Sequence, residues 1–213
     1  MIISHKYKFI YFKVQKTAGT SVEIFFNDIC DDKDVLTPIF PKEGYIHEPR
    51  NYQEGRFYNH VSPSIVKARI GDKIFNSYYK FMNCRNPWSR VVSWYKHGFR
   101  AAQEKQKGFN HDFESFCGTS LNFSELGMGG LIPQADWAGH MDGFIKFENL
   151  QEDLFKMCEH LHIPHVSKTI PRTKISDKKS LTSYKDYYTP RSRDLIAKKF
   201  AKDIKYFGYE FGD

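Results

Sequence analysis

Residues 7–22, Tyr7-Lys8-Phe9-Ile10-Tyr11-Phe12-Lys13-Val14-Gln15-Lys16-Thr17-Ala18-Gly19-Thr20-Ser21-Val22, change character abruptly half-way along. Positions 9–14 are almost continuously apolar and aromatic, which suits a strand buried on both faces in a parallel sheet covered by helices. From Lys16 to Ser21 the residues are small or hydroxyl-bearing, with one glycine; Val22, Phe25, Phe26 and Ile29 then return at helical spacing. The stretch reads as strand, tight loop and helix start. Such a turn leaves backbone N–H groups unpaired at the positive end of the helix dipole, ready to receive an anion. Thr17, Thr20 and Ser21 add hydroxyl donors, Lys16 adds a mobile charge, and Ala18-Gly19 leaves room for a phosphate to approach the backbone. The nucleotide-hydrolase order G-x-x-x-x-G-K-[ST] is not met, because the lysine here precedes the small residues. Taken alone, the stretch also fits an ordinary capped turn with a solvated lysine.

A second unit of the same kind follows downstream. Tyr78 to Cys84 suits a buried strand, Asn86 an N-cap and Pro87 the first residue of a helix. Trp88, Val91, Val92, Tyr95 and Phe99 form one apolar stripe on that helix. Arg85 falls at the carboxyl end of its strand, where open α/β sheets place their ligands, and Ser89 and Ser93 share a helix face. An arginine there can hold a phosphate by two parallel hydrogen bonds; a structural Arg–carboxylate pair and two surface serines fit the same residues. A third unit pairs the strand 144–147 with a helix opened by a capping box at Asn149-Leu150-Gln151-Glu152, and Glu148 lies between them. Three such units predict an α/β fold, a three-layer α/β/α arrangement about a central parallel sheet.

Between these units the chain is less regular. Residues 33–58 carry Pro38, Pro41, Gly44 and Pro49 and read as an irregular connection. Pro63 to Ile70 reads as a helical turn capped by Ser62, and just before it stands His60, one of nine histidines. By position alone His60 is an ordinary surface or core residue as readily as a general base. A short helix is expected at 112–117, a glycine loop at 127–130, and a long basic, hydroxyl-rich loop at 164–188. Thr189-Pro190 caps a final helix with Leu195, Ile196, Phe200, Ile204 and Phe207 on its inner face and Gly208 at its end.

Composition sets the outer bounds. At 213 residues the expected organisation is a single domain, 1–213, large enough for a sizeable core and without internal repeats. The formal charge of +7 favours an anionic ligand. The 32 basic residues are dispersed, with no block of five or more like charges, so nucleic acid is not an expected partner. The four cysteines lie far apart with no C-x-x-C pair, as core thiols in a reducing compartment do, and no residue spacing suggests a metal site. No stretch approaches 18 consecutive apolar residues, so the sequence carries no membrane segment and is expected to be a soluble, cytoplasmic protein.

Together, Val14-Gln15-Lys16-Thr17-Ala18-Gly19-Thr20-Ser21 and Arg85-Asn86-Pro87-Trp88-Ser89-Arg90-Val91-Val92-Ser93 resemble the two donor-binding motifs of sulfotransferases that use 3′-phosphoadenosine 5′-phosphosulfate (PAPS). Tyr187-Tyr188-Thr189-Pro190, with Asp203-Ile204 and Phe207-Gly208-Tyr209, is similar to the closing signature of the carbohydrate O-sulfotransferase branch. The resemblance implies the P-loop type of nucleotide-binding fold, no metal requirement, and a hydroxyl acceptor, most naturally a saccharide. It also implies roles. Lys16, Thr17, Ala18, Gly19, Thr20 and Ser21 would hold the 5′-phosphosulfate, with Lys16 neutralising the oxygen that bridges phosphorus and sulfur, and Arg85 and Ser93 would bind the 3′-phosphate. Asn59-His60-Val61 is similar to the Gly-His-Val context of the catalytic histidine in heparan sulfate uronyl 2-O-sulfotransferases, which makes His60 the preferred base although asparagine replaces the glycine. Residues 172–179 match the region where relatives close a loop over the nucleotide. Two other classes are compatible with the composition, a P-loop kinase and a non-catalytic polyanion-binding module. The lysine's position and the lack of an obvious Mg²⁺-binding acid weigh against the kinase.

Overall fold

Strand β1, Ile2–Ser4, opens the chain and runs antiparallel to β2, Phe9–Phe12, with Ile3 opposite Ile10. This computed structural model describes residues 1–39, 47–53, 55–104, 112–121, 129–164 and 183–213. Helix α1 (Gly19–Asn27), strand β3 (Val35–Leu36), helices α2 (Pro63–Ile70) and α3 (Asp72–Ser77) and strand β4 (Tyr79–Cys84) follow in order. Next come α4 (Pro87–Glu104), α5 (Phe113–Gly118), α6 (Ala135–Ala138), β5 (Gly143–Lys146) and α7 (Leu150–His160). Helices α8 (Pro190–Lys199) and α9 (Ala201–Phe207) close the described chain.

The contacts divide it into two units, Met1–Cys84 with Trp137–Ser176, and Arg85–Asp136 with Asp177–Asp213. The first holds the five-stranded sheet, in the order β3-β1-β2-β4-β5. Strand β2 pairs in parallel with β4, and β4 with β5, whereas β1 is antiparallel to both of its neighbours. The sheet is thus mixed and mostly parallel, as the βα units require. Every side chain of β2 is fully buried, worth about 1.5–3 kcal/mol for each large apolar group. Phe9, Tyr11 and Phe81 face α1 and α7 across a core that includes Phe25, Phe26, Leu154 and Met157. Phe12 faces the other way, against Phe75 of α3 and Trp137 of α6. Helices therefore cover both faces, the α/β layering expected from the sequence.

The second unit is helical, with Trp88, Val91, Val92, Phe116, Leu121, Ile196 and Phe200 in its core. Asn86 caps α4 by accepting from the backbone N–H of Trp88 at 3.0 Å, and Thr189 with Ser192 forms a capping box on α8.

Several expectations need correction. The N-terminal residues Ile2–Ser4, which carry no strand signal of their own, pair with β2, and the segment 33–58 contributes β3 together with a bridge between Leu36 and Arg50. The first helix begins at Gly19 rather than Val22. Phe99 ends the predicted stripe but is exposed. The capping box at Asn149 does not form: residues 147–149 make a 3₁₀ turn, and the Asp153 carboxylate accepts instead from the Lys146 N–H at 2.8 Å. The closing helix is two, broken at Phe200, though Gly208 ends the second in the left-handed conformation as expected. Residues 122–128 and 165–182 lie outside the described chain, and with them half of the 127–130 glycine loop and the whole of the 172–179 candidate lid. Among the described residues no helix is long and apolar enough to cross a membrane.

Candidate functional site

In the first unit the loop between β2 and α1 is held from below and open in its hydrogen bonding. Lys16 and Ala18 both take positive φ, at 63° and 66°, a conformation that costs a non-glycine residue of order 1 kcal/mol and marks a turn held by its surroundings. The Thr17 hydroxyl donates back to the Val14 carbonyl at 3.0 Å, and the Thr17 carbonyl accepts from the Asn83 side-chain amide of β4 at 2.8 Å. The Ala18 carbonyl accepts from the N–H groups of Ser21 and Val22, which starts α1. Among the described residues no hydrogen bond engages the N–H groups of Thr17, Ala18, Gly19 or Thr20. Thr17, Gly19 and Thr20 are nevertheless buried. Amides left without partners at the start of a helix are able to receive an anion.

Gly19 is required by packing. A Cβ there would come within 2.6 Å of Lys13 Cγ and 3.1 Å of Tyr11 Oη. Lys13 cannot step aside, because its ammonium pairs with the buried Glu23 carboxylate of α1 and donates to Asn59 Oδ1 at 3.3 Å. Glu23 also takes the Met1 amine. Burial alone would raise its carboxyl, but the Met1 amine and Lys13 outweigh that and hold it at about 2.

His60 stands on the same support. Its Nδ1 lies 2.8 Å from the Lys13 carbonyl, an acceptor only, so Nδ1 carries the proton and Nε2 the lone pair. No hydrogen bond engages Nε2 among the described residues. The residue has φ of 61°, again left-handed. Burial lowers its imidazole to about 4, with the Lys13 charge adding to the effect and the bond to the Lys13 carbonyl opposing it. The ring is therefore neutral near pH 7 and able to accept a proton. The asparagine at position 59 has its own work. Its Oδ1 accepts from Lys13 and from Thr37 Oγ1, and its Nδ2 donates to the Pro38 carbonyl at 2.6 Å. These bonds fix the dipeptide 59–60 against the strand end that leads into the loop.

In the second unit, Arg85 directs Nε and Nη2 onto the Ser89 hydroxyl at 2.9 and 2.8 Å, which sets the guanidinium plane along the first turn of α4. Ser93 lies one turn further on the same face, half-buried. Ser89 is buried, so it is no surface serine. The Arg85 backbone is clamped at both ends by Gln134, whose Oε1 accepts from its N–H at 2.8 Å and whose Nε2 donates to its carbonyl at 2.9 Å. Gln134 is in turn held by the buried Asp203. Glu148 is exposed in its 3₁₀ turn.

These two strand-end loops, one lysine-led and one arginine-led, each opening a helix, accord with a comparison to known proteins: residues 1–210 match the model of the Sulfotransferase family. The chain belongs to that family. A curated Archaeoglobus fulgidus protein, named only as uncharacterized, is 30% identical to this sulfotransferase-family chain over 105 residues, which covers 47% of this chain and 81% of its own length. No solved structure matches. Membership makes the protein a transferase. Sequence reasoning missed four residues that hold the site, Lys13, Glu23, Asn83 and Gln134. Each acts through a partner far away in the chain, and only the pairing of a buried-strand lysine with a helix glutamate left any trace in the residue pattern.

Proposed function

We propose that the protein transfers a sulfuryl group from PAPS to a hydroxyl of a saccharide acceptor. The observation that carries this reading is the run of amides from Thr17 to Thr20 at the start of α1, without partners among the described residues, in a chain of the sulfotransferase family. That nest, with Lys16 and the Thr20 and Ser21 hydroxyls, suits the 5′-phosphosulfate, and Arg85 with Ser93 suits the 3′-phosphate. His60 Nε2 takes the proton of the acceptor hydroxyl as its oxygen attacks sulfur. The bond from sulfur to the bridging oxygen breaks, its electron pair stays on the phosphate, and the Lys16 ammonium neutralises the charge that develops there. An anionic donor or acceptor bound beside His60 would raise its imidazole from about 4 toward the working pH, so binding itself would make it a stronger base. The four free cysteines suit a reducing compartment such as the cytoplasm.

Incubation with sulfur-labelled PAPS and a panel of saccharides, phenols and alcohols tests the reading. Label is expected on a saccharide hydroxyl, with adenosine 3′,5′-bisphosphate as co-product; label on phenols alone would refute the acceptor class, and no transfer to any member would refute the activity.

A further inference from the structure

Asn83 makes one hydrogen bond and forgoes the other. Its side chain is fully buried, its Nδ2 donates to the Thr17 carbonyl, and no donor reaches its Oδ1 among the described residues. A buried amide oxygen without a donor costs stability, and an apolar side chain at the end of a buried strand would avoid that cost. What the residue provides is direction. The Thr17 carbonyl and the Ala18 N–H belong to a single planar trans peptide and point opposite ways. Fixing the carbonyl down onto β4 turns the Ala18 N–H away from the sheet. If this peptide turned over, the loop would present a carbonyl oxygen where it now presents a donor, in the middle of the run from Thr17 to Thr20.

We infer that Asn83 is a positioning residue that sets the polarity of the 17–18 peptide and so makes the loop a receptor for anions. The inference rests on the reading of this loop as the site of the donor's anionic end, and it concerns the anion rather than the nucleotide. Asn83→Asp keeps the shape but replaces the donor with an oxygen that repels the Thr17 carbonyl; Asn83→Leu removes the donor without adding charge.

The test follows the backbone amides of ¹⁵N-labelled protein during titration with adenosine 3′,5′-bisphosphate and, separately, with inorganic pyrophosphate. In the wild type the Ala18 amide proton is expected to move downfield with those of Thr17, Gly19 and Thr20. In both variants the Ala18 response should vanish and the dissociation constant should rise at least about 10-fold, the loss expected for one hydrogen bond to a charged group. The melting temperature of Asn83→Leu should stay within a few degrees of wild type, because it exchanges one unsatisfied group for another, whereas Asn83→Asp buries an unpaired charge and should melt lower. A response to pyrophosphate but not to the nucleotide would reject the donor reading and still support the role of Asn83. Unchanged affinity and an unchanged Ala18 shift in the variants would overturn the inference, as would a wild-type Ala18 amide indifferent to both anions. Loss of the fold in both variants would do the same, since it would make Asn83 a purely structural residue.

Discussion

Replacing His60 with asparagine should flatten the acid limb of the stability curve while leaving the fold intact. Asparagine tolerates the left-handed backbone at position 60, and its Nδ2 occupies the place of the imidazole Nδ1, so the bond to the Lys13 carbonyl can persist. What disappears is the titration. The folded-state imidazole sits at about 4, against about 6.5 in the unfolded chain, so between those values unfolding takes up a proton. The associated stability is fully present above about pH 6.5 and is lost as pH falls toward about 4. The whole shift corresponds to about 3 kcal/mol, of which about 2 kcal/mol is already gone at pH 5. His47, half-buried and lowered by that desolvation, adds to the same limb in both proteins. Urea titrations at half-unit steps from pH 4.5 to 7.5 give the two curves. On going from pH 7 to pH 5 the wild type should lose about 2 kcal/mol of stability relative to the variant. Parallel curves would mean that His60 is not held neutral by burial, and the assignment of a ready proton acceptor at Nε2 would fall with it.

Other perturbations separate the parts of the site. Lys16→Ala should lower kcat by roughly 10²–10³-fold while calorimetry finds adenosine 3′,5′-bisphosphate still bound, because in the proposed reaction the charge that Lys16 would neutralise appears only as the bond breaks. Arg85→Lys should weaken that nucleotide by about 10-fold, since an ammonium offers neither the fork nor the two contacts with Ser89. Gly19→Ala should lower stability by roughly 1–3 kcal/mol, read as a drop in Tm of several degrees, because the new methyl meets Lys13 Cγ at 2.6 Å and the lysine is pinned by Glu23 and Asn59.

The parts of this structure written locally were legible in the sequence. The strand-loop-helix at 9–27, its counterpart at 79–104 and the Thr189 cap each announce themselves through residues a few positions apart, as does α2 behind Pro63. The parts written across the chain were not. Ile2–Ser4 is too short to carry a pattern and becomes a strand only because β2 offers it a partner. Glu23 follows Val22 on a helix whose apolar face is plain to read, yet it is fully buried, since Lys13 and the Met1 amine supply the opposite charges. The Asn149 box is complete in the sequence, but residues 147–149 form a 3₁₀ turn and the Glu152 carboxylate pairs with Lys156 at 2.6 Å, so the cap goes unused. Asn83 is one polar residue in a predicted strand, and Gln134 falls outside every predicted element; their meaning lies in the Thr17 and Arg85 backbones they hold. Asn59 likewise takes its meaning from the three hydrogen bonds its side chain makes.

The proposed function requires a nucleotide that carries charge at both its 3′ and 5′ ends. Calorimetry with adenosine 3′,5′-bisphosphate, adenosine 5′-monophosphate and ATP–Mg²⁺, on wild type and Arg85→Ala, tests it most directly. The 3′-phosphate should strengthen binding by at least about 10-fold in the wild type and add nothing in the variant. Equal binding of the two adenosine phosphates by the wild type, or a preference for ATP–Mg²⁺, would contradict the account.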